Sequence, residues 1–136
     1  MVKEVVRKHI NRRAKIVGLV GILVYICLGY FLKIELMYNY VNWTKNFATM
    51  RGYLKAAHVH GLTLSFIILF YSFFVEVSDL TDQQKKVGTS LAIGGVVLMP
   101  LTLVMGAFDI RIALLSHMAV LMVISAVGIL AWGHLK

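Results

Sequence analysis

Four stretches of this chain, residues 16–32, 56–75, 87–108 and 112–133, contain no Asp, Glu, Lys or Arg. The last three are 20 to 22 residues long, enough to cross a bilayer core of about 30 Å as α-helices. No water is available there to satisfy free backbone groups, so the crossings are read as helical. The first stretch is shorter, at 17 residues. Lys15 and Lys33 at its ends extend it by laying their apolar stems along the hydrocarbon. Of the 136 residues, 60% are hydrophobic, against roughly 45–50% in soluble domains. The expectation is an all-α integral membrane four-helix bundle, antiparallel and up-down, forming a single domain.

The connections sharpen this picture. Only Asp109, Ile110 and Arg111 separate the last two blocks, which forces an antiparallel hairpin. Residues 76–86 are polar and short. Residues 33–55 form the longest connection, with Met37, Tyr38, Tyr40, Trp43, Phe47, Met50 and Tyr53 among scattered lysines. That mixture fits a helix lying along the membrane interface as well as it fits a plain loop. Pro100 predicts a kink in the third crossing. Gly18, Gly21, Gly61, Ser65, Ser72, Gly88, Gly94, Gly95, Gly106 and Gly128 predict close helix packing.

The net charge of +8 is concentrated before the first crossing, in Lys3, Arg7, Lys8, Arg12, Arg13 and Lys15. No basic and aromatic groove pattern accompanies it, so it points to anionic headgroups and not to nucleic acid. With the N-terminus inside, nine Lys and Arg fall on the inner side and five on the outer. The positive-inside rule then places both termini in the cytoplasm, and the expected location is the cytoplasmic membrane of a prokaryote. No Ala-x-Ala-like cleavage site follows the first apolar block, which is read as a retained crossing. The single cysteine, Cys27, reads as a small hydrophobe. Nucleophile-elbow, phosphate-loop, dinucleotide and Cys-x-x-Cys motifs do not occur.

The residues most suggestive of chemistry are histidines. His9 lies in the basic N-terminal segment and His134 at the inner end of the fourth crossing, and neither receives a role. His58 and His60 fall two and four positions into the second crossing, and His117 five positions into the fourth. At 1.5 Å per residue the three lie about 3–8 Å below one membrane surface. Ionisable groups within a crossing are rare and carry a functional hypothesis by default. His58 shares a helix face with Gly61, Ser65 and Ser72, whereas His60 lies about 200° away, with Leu64, Ile67 and Tyr71. Depth favours His60 as the partner of His117, and the wheel favours His58. Two imidazoles on facing helices would serve as axial ligands of a haem b. Gly61 and Gly106 would clear a slot for the macrocycle, and Arg51, Lys55 and Arg111 would meet its propionates. Bound quinone would fit beside the haem or in its place. A copper or zinc site completed by Met50, Met105, Met118 or Asp109 is the weaker alternative.

The stretch Ala57-His58-Val59-His60-Gly61-Leu62 resembles the His-x-His helix of haem–copper oxidase catalytic subunits and their nitric oxide reductase relatives. The resemblance covers about six residues of 136. It implies that His58 and His60 are haem ligands and that the chain serves in a respiratory assembly. The family has about twelve crossings and a further histidine cluster, and this chain has neither. The resulting expectation is a membrane b-type cytochrome passing electrons, with quinol as donor. The alternative is a cofactor-free structural or assembly subunit that docks to other membrane subunits or to further copies of itself.

Overall fold

The structure, a computed structural model, describes the backbone of residues 2–38 and 47–135 and the side chains of residues 12–34 and 50–135. The chain forms α1 (Val2–Tyr38), α2 (Phe47–Val77), α3 (Asp82–Gly106), the short α4 (Ile110–Ala113) and α5 (Ser116–His134). Four stretches are long and apolar enough to cross a membrane: Arg12–Ile34, Met50–Val77, Asp82–Gly106 and Ile110–His134. The protein is therefore a multi-pass, all-α integral membrane protein. The α2–α3 connection defines one side, called the near side, which also holds the start of α1 and the end of α5. The α3–α4 turn lies on the far side.

The first crossing is longer than its uncharged block, because the helix runs on through flanking lysines and arginines. Its 23 residues span about 34 Å, so the apparent shortfall disappears. Helix also takes up much of the long first connection. Met37 and Tyr38 belong to α1, and Phe47, Met50 and Tyr53 to α2. Tyr40 and Trp43 lie outside the described residues.

The helices pack in chain order. α1 lies on α2, α2 on α3 and α3 on α5; α1 also reaches α3, while α2 and α5 meet only slightly. Small residues set these seams. On α1, Ala14 and Gly18 are buried, with Gly21, Tyr25 and Gly29 continuing the same face at spacings of three and four. A side chain at Gly18 would press within 3.0 Å of the Ser65 carbonyl oxygen on α2. Between α3 and α5, one at Gly95 would come within 2.9 Å of the Ala119 carbonyl oxygen. The central core joins Ile68, Tyr71 and Val75 of α2 to Ala92 and Val96 of α3 and Ala126 of α5.

Turn chemistry fixes the two short connections. Thr81 caps α3 in a capping box: the Gln84 N–H donates to Thr81 Oγ1 at 3.3 Å, and the Thr81 N–H donates to Gln84 Oε1 at 3.0 Å. On the far side, α3 ends at Gly106, two residues before the apolar block does, and Ala113 packs on that glycine. The Asp109 carboxylate then accepts the Arg111 N–H at 2.9 Å and starts α4. The fourth crossing is not one regular helix. Between α4 and α5 the chain tightens into bonds spanning three residues, from Leu115 N–H to the Ile112 carbonyl at 3.0 Å and from His117 N–H to that of Leu114 at 3.2 Å. These short bonds keep backbone groups paired where the winding changes, as an apolar solvent favours. α3 continues as helix through the buried Pro100.

Candidate functional site

His58 is seated by α1. Its Nδ1 lies 2.7 Å from the Tyr25 carbonyl oxygen. A carbonyl only accepts, so Nδ1 carries a proton, and in the neutral ring the lone pair is on Nε2. Tyr25 is four residues before Gly29, so its oxygen already receives a helical hydrogen bond; the imidazole takes the second lone pair. The ring reaches that oxygen because Gly29 has no side chain. A Cβ there would sit 2.8 Å from His58 Nε2 and 3.0 Å from Nδ1. One turn further along α2, Gly61 is covered by the Tyr25 ring, with a distance of 2.6 Å from its would-be Cβ to Cδ1. Ser65 closes the row, its hydroxyl donating to the Gly61 carbonyl at 2.6 Å. The face of His58, Gly61, Ser65 and Ser72 thus looks into the bundle, and its neighbour is α1.

His60 is exposed on the outside of α2. His117 is also exposed, at the start of α5, where its Nδ1–H donates to the Leu114 carbonyl at 2.9 Å. That bond supports the tightened turn between α4 and α5. As with His58, the lone pair of the neutral ring is on Nε2. Each ring is chemically able to bind a metal, but they occupy separate surroundings. Among the described residues, no three His, Cys, Asp or Glu side chains gather into a group able to hold a metal ion. The clearance expected at Gly61 and Gly106 is filled by Tyr25 and Ala113. Arg51 and Lys55 lie on the far-side part of α2, and Arg111 is exposed on α4.

On the near side, the Lys15 Nζ pairs with Glu76 Oε2 at 3.3 Å and lies 5.0 Å from the Phe73 ring centroid. Both partners are well exposed, so the pair positions α1 on α2 more than it stabilises it. Lys85 is buried, with Nζ 3.4 Å from the Glu76 carbonyl oxygen.

One open volume was not anticipated from sequence. A crevice of about 530 Å³ opens between α1 and α3, with Ser65 of α2 and Gly21 at its floor. Its lining is almost wholly apolar, including Val20, Val24, Val97 and Leu101. Pro100 lies in this wall. Reading one helix face at a time gives no sign of such a gap, which depends on how far α1 leans from α3. In comparisons with protein-family models, curated proteins and solved structures, nothing matches this chain.

Proposed function

We propose that this protein is a small subunit that works by docking, through α5, against a transmembrane helix of a larger membrane assembly. The observation that carries this reading is a seam on the outside of α5. Met118, Leu121, Ser125, Gly128 and Trp132 repeat at spacings of three and four, and all five are exposed. That is the spacing by which helices interlock in a left-handed pair. Small residues on a lipid-facing surface are what a second helix needs for close approach, and lipid tails need none. Among the described residues Gly128 meets nothing within 4 Å, so none of them accounts for its lack of a side chain. In this reading the near side is cytoplasmic, from the distribution of Lys and Arg.

The histidines support docking over a haem held within one chain. His58 is engaged with α1, while His60 and His117 stand on the outer surface. The test is the native mass and the visible spectrum of the gently extracted protein. Docking predicts a stable species well above the chain mass of 15.2 kDa. Gly128→Leu should release an intact monomer of unchanged helicity. A wild-type protein that runs as a monomer contradicts the reading. So does a Soret band abolished by His60→Ala or His117→Ala, which would establish a cytochrome instead.

A further inference from the structure

The crevice between α1 and α3 does not stop within the apolar zone. Toward the near side it shares Ile16 and Val17 with a second opening of about 470 Å³, which adds Arg13 of α1 and Ser90 of α3. The two openings therefore adjoin, with the Arg13 guanidinium and the Ser90 hydroxyl on the near-side part and an almost wholly apolar groove beyond. The apolar part runs along α1 from Ile16 to Leu28, a rise of about 18 Å. This slightly exceeds one leaflet, half of a hydrocarbon core of about 30 Å.

We propose that the two together are a binding site for one anionic phospholipid, with its phosphate at Arg13 and Ser90 and an acyl chain in the crevice. Size argues for a chain. The crevice is little longer than one leaflet, the reach of one acyl chain, whereas a helix crossing the membrane would need about 30 Å. Charge argues for the headgroup. Arg13 stands at the mouth, exposed, while the neighbouring Lys15 is occupied by Glu76. Energetics divide the roles. An acyl chain gains little by leaving other chains for an equally apolar crevice. The crevice therefore gives shape, and selection comes from the phosphate meeting Arg13. This site lies on the α1–α3 face and is independent of the α5 seam.

The test is native mass spectrometry of the detergent-extracted chain with phosphatidylglycerol and phosphatidylcholine of equal chain length. The wild type is expected to retain phosphatidylglycerol preferentially. Arg13→Gln should lower the ratio of retained phosphatidylglycerol to phosphatidylcholine about fivefold, the worth of one basic residue at an anionic surface. Val97→Trp and Leu101→Trp fill the crevice from two positions on exposed parts of α3, and should remove both lipids. Circular dichroism and a single elution peak establish that each variant is folded. An unchanged lipid ratio in Arg13→Gln overturns the proposal, as does retention of lipid by both tryptophan variants. Release of a co-purified protein by Val97→Trp also overturns it, in favour of a partner helix in the groove.

Discussion

Gly95→Leu is expected to lower the unfolding stability of the detergent-solubilised protein by about 1–3 kcal/mol or more, through separation of α5 from α3. The reason lies in what a side chain at position 95 would meet. Ala119 O is 2.9 Å and Val123 N 3.3 Å from its Cβ. Both atoms belong to the backbone of α5, so no rotamer change clears the way and the whole helix must move. α5 packs mainly on α3 and only slightly on α2, so the displaced helix has little else to hold it. The control is Gly52→Ala on α2, where none of the described residues lies within 4 Å. That change should be neutral or stabilising by up to about 1 kcal/mol, because alanine restricts the unfolded chain more than glycine does. Equal losses in the two variants would contradict the packing described for α3 and α5.

His58→Ala should cost about 2–3 kcal/mol, combining a lost hydrogen bond with the space left where the ring packed on Gly29. His58→Phe should recover part of this loss, since it fills volume without donating to the Tyr25 carbonyl. His60→Ala alters an exposed side chain and should stay within about 0.5 kcal/mol, while His117→Ala also loses its bond to the Leu114 carbonyl and should cost about 0.5–1.5 kcal/mol. Thermal or denaturant unfolding of the four variants gives the ranking. If His60 or His117 proves as important to stability as His58, the histidines act as a group and the division of roles argued here is wrong.

The crossings were legible in the sequence because lipid excludes charge, and charge is easy to see. The ends of the crossings were less so. Arg12, Arg13, Lys15 and Lys33 mark the polar boundary, yet the helix runs past them because long basic side chains reach back to the surface. The change of winding at Leu114–Leu115 leaves no trace in a run that contains no charged residue, proline or glycine nearby.

The partner of His58 was not legible from depth. Depth is one coordinate, and every helix of a bundle supplies residues at each level. Gly29 of α1 lies level with His58 as surely as any residue of α5. The wheel identified the right face of α2, but a face does not name its neighbour. The signal that could have done so is on α1. Ala14, Gly18, Gly21, Tyr25 and Gly29 form a row of mostly small residues, complementary to the row at His58, Gly61 and Ser65 on α2. A small residue in each row meets a larger one in the other: Gly29 takes the His58 ring and Gly61 takes Tyr25. Reading the two rows together, instead of reading the histidines together, points to α1.

Paired cysteines test that assignment most directly. In a Cys27→Ala background, Gly21→Cys with Ser65→Cys places two thiols across the α1–α2 seam. The Cβ positions there are 3.1 Å apart, close to the roughly 3.5–4.5 Å of a disulfide. The comparison pair is His58→Cys with His117→Cys. Under mild oxidation in membranes, mass spectrometry should find the intrachain bridge in the first pair and free thiols in the second. A bridge between positions 58 and 117, with none between 21 and 65, would mean that His58 faces α5, and the helix arrangement described here would fall.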